Sequence, residues 1–180
     1  GHIVGLSMGG RIAQDFFALF PERVKTLTLV ATHSSFQDFT PEERQRFIDL
    51  RRKPLVEEGK QPADIAPLVA RSLLGPFATE AQYRRLVASI AALHKESYIK
   101  TVEVTTMFDR SQELGSIDVP TLLVYGENDP LTQPEKGRRM ADRIPGAEFV
   151  VIPRAGHLIN LEQPELFDAT VREFLLKHGQ

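Results

Sequence analysis

The apolar positions change period several times along the chain. "HIVGL" is a short apolar run that reads as a buried strand, and behind it, in "RIAQDFFALFPERV", Ile12, Phe16, Phe17 and Phe20 recur at helical spacing until Pro21 stops the pattern. "VKTLTLVAT" (Val24 to Thr32) is rich in β-branched residues and apolar at most positions, as a parallel strand covered on both faces would be. Strand, sharp turn, helix and strand together make a βαβ unit.

From His33 to about Gly115 the strand pattern stops. Four helical stretches, "TPEERQRFIDLRRKPLVEEG", "PADIAPLVARSLLG", "TEAQYRRLVASIAAL" and "KESYIKTVEVTTMFDRSQEL", are separated by turn signals such as Gly75-Pro76, and Thr79 with Gln82 forms a capping-box pattern. Strands resume with "VPTLLVYG" (Val119 to Gly126), then a polar turn, the helix "KGRRMADRI", the strand "EFVVI" (Glu148 to Ile152) and a closing helix from Pro164. That last helix has an apolar face of Leu166, Phe167, Val171, Phe174 and Leu175. The alternation predicts an α/β layer with a parallel sheet, interrupted once by a helical block.

Composition narrows the chemistry. A formal net charge of −2 with no basic block gives no electrostatic reason for nucleic acid or an anionic membrane as partner, so a small-molecule substrate is expected. With no cysteine in the chain, thiol chemistry, disulfides and thiolate metal sites fall away. No clustered His, Asp and Glu positions suggest a metal, and no cofactor is expected. No apolar run approaches the roughly 20 residues needed to span a bilayer, and the expected location is the cytoplasm.

"Gly5-Leu6-Ser7-Met8-Gly9", followed by Gly10, matches the Gly-x-Ser-x-Gly elbow, and it stands where that motif requires, between a strand and a helix. In this reading Ser7 is a nucleophile in a strained turn, and the Met8 backbone N–H, at a helix N-terminus, faces an oxyanion. The competing reading is a glycine-rich turn whose serine merely caps the helix. A serine hydroxyl needs a base and the base needs an orienting carboxylate. "YGENDP" puts Asp129 after one strand and "IPRAGHLINLEQP" puts His157 after the next, and loops at the C-terminal ends of parallel strands share one crevice. Glu127 and Asp118 compete with Asp129, although Asp118 precedes its strand and so lies at the wrong end of the sheet. Glu162 reads as a brace for the last helix. His2 reads as a strand start, His94 and His178 as solvated helix surface, and His33 as a strand-end residue beside the site.

Together "GLSMGG", "PTLLVYGENDP" and "AGHLINLEQPELF" resemble the C-terminal two thirds of an α/β-hydrolase of the serine-nucleophile, capped kind. The resemblance implies a partial core at 1–32 and 115–180, corresponding to strands 5 to 8 of that fold, with a helical cap at 33–114. It implies catalysis by Ser7, Asp129 and His157 with Met8 as one oxyanion-hole donor, and serine in place of aspartate points away from haloalkane and epoxide substrates. Esterases, enol-lactone hydrolases, carbon-carbon bond hydrolases and metal-free perhydrolases remain open. It further implies that the N-terminal strands lie outside this sequence, in a segment of roughly 80 to 100 residues. Alone, the first strand would be an open edge prone to pairing, for instance in a homodimer. A non-catalytic ligand-binding protein or an inactive fragment on the same fold is the rival expectation.

Overall fold

Four strands run parallel in the computed structural model, which describes residues 1–178: β1 (His2–Leu6), β2 (Thr26–Val30), β3 (Thr121–Gly126) and β4 (Glu148–Ile152), side by side in that order. The register pairs Leu6 with Val30, Val30 with Val124, and Gly126 with Ile152, so all four strands end along one edge of the sheet. The loops after β1, β3 and β4 therefore open on the same side. β2 and β3 are buried at every position. Their alternate side chains divide between the two faces: Leu27, Leu29, Leu123 and Tyr125 pack with α1 (Met8–Leu19) and α7 (Pro134–Ala141), whereas Val30, Leu122 and Val124 pack with α8 (Ile159–Glu162) and α9 (Pro164–His178).

The strand expected over Val24 to Thr32 is shorter at both ends. Val24 closes a 3-10 turn over Pro21–Arg23, and beyond Val30 the chain turns at Ala31, whose φ is 44°. The buried face of α1 also differs from the bulky set Ile12, Phe16, Phe17 and Phe20. Gly10, Ala13 and Phe17 face the sheet, while Ile12 and Phe20 are exposed, because small residues let the helix lie close to the strands. On α9, Phe174 is buried and Phe167 and Leu175 pack beside it, but Leu166 points to solvent.

Between β2 and β3 stand α2 (Pro41–Arg51), α3 (Lys53–Val56), α4 (Pro62–Arg71), α5 (Glu80–Ala91) and α6 (Lys95–Met107), with a core of their own around Leu55, Ile65, Val69 and Ile90. The first expected stretch breaks into α2 and α3 at Arg52, where Pro54 can neither donate to Leu50 nor pass its carbonyl without a clash. The Thr79–Gln82 capping box forms as expected, and a second, Thr40–Glu43, starts α2. The chain enters and leaves this block at one place, where Ser35 bridges Asp109 and the Arg110 N–H donates to the Ser34 carbonyl.

A second tie joins the block to the loop after β4. Glu162, 7% exposed, accepts from the Gly75 and Gly156 N–H groups at 2.9 Å each through Oε2 and from the Leu158 N–H at 3.2 Å through Oε1. The His157 N–H donates to the Leu73 carbonyl at 2.9 Å. Gly75 and Gly156 touch backbone to backbone, and a Cβ on Gly156 would lie 2.2 Å from the Gly75 nitrogen. Glu162 thus braces the His157 loop against the helical block rather than the last helix. Burial pushes its carboxyl above the ordinary range, against the opposite pull of the three N–H donors.

Replacing Glu162 with Ala strands three N–H donors, of which the Gly156 donor bond is buried. Unfolding in urea should register a loss of about 2–5 kcal/mol, with Glu162→Gln losing less. The elbow glycines make a second, opposed pair. A Cβ on Gly10 would lie 2.6 Å from Thr32 side-chain atoms, whereas Gly9 has open space. Gly10→Ala should destabilise by about 1–3 kcal/mol, and Gly9→Ala should be neutral or stabilising by up to about 1 kcal/mol in the same assay.

Candidate active site

Ser7 sits between β1 and α1 with φ 52° and ψ −112°, a conformation that costs a non-glycine residue on the order of 1–3 kcal/mol. Four bonds hold it there. Its N–H donates to the Val30 carbonyl at 2.8 Å, its carbonyl accepts from the Thr32 hydroxyl at 2.7 Å, and that carbonyl also receives the Gly10 and Arg11 N–H groups of the first turn of α1. Gly5 is needed because a Cβ there would lie 2.2 Å from the Gly9 carbonyl oxygen. The capping reading of Ser7 does not describe this turn: the side chain makes no bond to the first turn of α1. Its hydroxyl instead meets His157 Nε2 at 2.8 Å.

On the other side of the ring, His157 Nδ1 lies 2.8 Å from Asp129 Oδ2. Asp129 is 3% and His157 2% exposed. The second carboxylate oxygen, Oδ1, accepts from the Leu131 and Thr132 N–H groups at 2.8 Å each, which fixes the carboxylate plane. An ionised carboxylate only accepts, so the imidazole proton belongs on Nδ1 and the Nε2 lone pair faces the serine hydroxyl. The structure thus brings Ser7, His157 and Asp129 into one hydrogen-bonded chain. Asp118 is exposed ahead of β3, and Glu127 is exposed and accepts from the Arg154 N–H. The Met8 N–H, at the start of α1 and next to Ser7 in the chain, donates to no described residue.

The hydroxyl opens into a cavity of about 380 Å³ between the sheet edge and the helical block. Its wall is largely apolar, with Phe36, Phe39, Phe47, Val69, Ile90 and Leu131 among its residues. His33 does border it, buried, and accepts through Nε2 from Arg11 Nη1 at 2.9 Å while its ring meets Phe39 edge-on. Burial first, then the Arg11 charge, lowers its pKa to about 3, so the ring is neutral at ordinary pH. His94 is solvent-exposed, as expected, and in addition caps α6 and borders the cavity. His178 bonds Glu148 at 2.7 Å, and His2, at the start of β1, bonds Thr26. Two cavity residues, Arg11 and Arg51, were not foreseen from sequence. Each stands within an ordinary amphipathic or charged helical pattern, and only the fold turns it inward.

Among the described residues no group of three or more His, Cys, Asp or Glu is placed to hold a metal ion, and no helix is long and apolar enough to cross a membrane.

Known proteins resemble this chain in sequence and in fold. The carboxylesterase YbfK of Bacillus subtilis is 28% identical over 180 residues, covering 97% of this chain and 57% of its own. A 2-hydroxy-6-oxononadienedioate/2-hydroxy-6-oxononatrienedioate hydrolase of Klebsiella pneumoniae is 29% identical over 184 residues, covering 98% and 62%. The solved structure of a thermophilic esterase from Thermogutta terrifontis superposes with a TM-score of 0.83 at 30% identity, covering 99% of this chain and 66% of that one. The chain therefore spans about three fifths of the length of the curated relatives it matches. The family model for the alpha/beta hydrolase fold matches residues 1–164. With the sheet, the elbow and the matched span in agreement, this chain belongs to the α/β-hydrolase family.

Proposed function

We propose that the protein carrying this chain is a serine hydrolase of small-molecule esters, lactones or activated carbonyl compounds, with Ser7 as nucleophile, His157 as base and then acid, and Asp129 as orienting carboxylate. The observation that carries the reading is the continuous Ser7–His157–Asp129 hydrogen-bond chain, 2.8 Å at each link, opening on an apolar cavity. As Ser7 Oγ attacks the substrate carbonyl carbon, its proton passes to His157 Nε2, and Asp129 stabilises the resulting imidazolium. The oxygen of the tetrahedral intermediate takes up negative charge opposite the free Met8 N–H and the positive end of α1. Collapse expels the leaving group, which takes the proton from His157, and leaves Ser7 acylated. Water then repeats the sequence, giving its proton to His157 and releasing the acid.

The helical block of residues 33–114 acts as a cap in this scheme. It supplies much of the cavity wall, and Glu162 and the Leu73 carbonyl tie it to the loop that bears His157. A largely apolar wall favours acyl groups with hydrocarbon bulk over small hydrated ones. Relatives of the chain include a carboxylesterase and a 2-hydroxy-6-oxononadienedioate/2-hydroxy-6-oxononatrienedioate hydrolase, both hydrolases by name.

Kinetics on a 4-nitrophenyl ester test the assignment. Asp129→Asn should keep the fold by circular dichroism and lower kcat by about 10⁴, since the wrong imidazole tautomer then faces the serine. Ser7→Ala should remove about 10⁶. An Asp129→Asn protein as fast as the parent would move the acid role to another residue.

A further inference from the structure

Two guanidinium groups stand in the wall of the Ser7 cavity without a counter-charge among the described residues. Arg11 and Arg51 are 8% and 6% exposed, and both line the cavity. Neither forms an ion pair with a carboxylate among the described residues. Arg110, by contrast, meets Asp15 at 2.7 Å and Glu113 at 3.1 Å. Removing a lone cation from water is among the most costly things a fold can do, and such charges are ordinarily paired.

The two arginines are not equally uncompensated. The Arg51 guanidinium lies 4.5 Å over the Phe47 ring and donates to the Ser72 hydroxyl, so an aromatic face meets part of its charge. Arg11 has no such face. It donates through Nη1 to His33 Nε2 and through Nη2 to the Thr105 hydroxyl, both at 2.9 Å and both neutral acceptors. A guanidinium carries five N–H donors, so these bonds leave others free for a ligand. The two bonds come from different elements, the loop after β2 and α6, and hold the planar group in one orientation. Burial alone lowers the Arg11 pKa to about 10, which still leaves it charged at neutral pH. Arg11, in the first turn of α1, follows Ser7 by four residues, and both line the same cavity.

We propose that Arg11, held by His33 and Thr105, is an anion subsite, and that the acyl part of the substrate ends in a carboxylate which pairs with it while the scissile carbonyl lies at Ser7. The carbonyl half of this statement rests on the hydrolase reading above; the carboxylate half rests on Arg11. A purely structural arginine, tying α1 to the helical block, would serve charged and neutral substrates alike, and that difference is measurable.

The experiment compares two 4-nitrophenyl esters on the whole protein: the hemi-ester of adipic acid, which carries a free carboxylate, and its methyl-capped neutral counterpart. The parent protein should favour the anionic ester by about 10²-fold in kcat/KM, mainly through KM, as expected for a charged hydrogen-bonded pair remote from the reacting atoms. In Arg11→Met that ratio should fall to near unity, and Arg11→Lys, which keeps charge without the fork, should lie between. A parent that favours the neutral ester, or an Arg11→Met protein with the ratio intact, overturns the subsite. Loss of the ratio in Arg51→Met but not in Arg11→Met overturns it equally. If neither ester is hydrolysed the hydrolase reading has failed, and calorimetric binding of adipate against adipamide decides the subsite by itself. Tighter adipate binding that disappears in Arg11→Met supports it, and equal binding of the two overturns it. Should Arg11→Met fail to fold, the parent's preference and the Arg11→Lys ratio still give the answer.

Discussion

The site depends on one close approach, that of the β1–α1 turn to the end of β2. Ser7 is held at a positive φ because its N–H reaches the carbonyl of Val30, the last residue of the neighbouring strand, and its own carbonyl receives the hydroxyl of Thr32 just beyond that strand. Gly5 and Gly10 are the positions where a Cβ would prevent that approach, at Gly9 and at Thr32 respectively. Because the strands are parallel and end in register, the same edge carries the Asp129 turn and the His157 loop. Aligning three chain segments up to 150 residues apart thus becomes a local matter of sheet register and one strained turn.

The His157 loop has its own restraint, which comes from the helical block. Glu162 collects N–H donors from both sides of the junction, and the Gly75–Gly156 contact leaves no room between the two backbones. The element that covers the cavity is therefore the element that steadies the His157 loop. At the far side of the cavity, Arg11 spans the core helix and the block through His33 and Thr105. Core and block meet through polar bonds at both ends of an apolar space, an arrangement that keeps the space shaped without filling it.

Much of this was legible in the sequence, and the reason lies in particular residues. The strands betray themselves by β-branched runs, and Thr79–Gln82 by a capping pattern that is local in sequence. Ser7, Asp129 and His157 are legible because each follows a strand, and parallel strands bring such loops together. What escaped reading was set by tertiary contact. The buried side of α1 runs through Gly10, Ala13 and Phe17 rather than through Ile12 and Phe20, and nothing in the local pattern says which stripe a sheet will accept. Glu162 bonds across 87 residues to Gly75, a distance at which no periodicity speaks. Arg11 and Arg51 look like surface arginines until the fold turns them into the cavity.

The most direct measurement is the mass of the peptide ending at Arg11 after the whole protein has been treated with a fluorophosphonate, a reagent that phosphonylates only a serine with an active base. The account predicts displacement of fluoride by Ser7 Oγ, a stable adduct on that peptide, and no adduct in Ser7→Ala. An unmodified Ser7 in the folded protein, or an adduct confined to another serine, would contradict it.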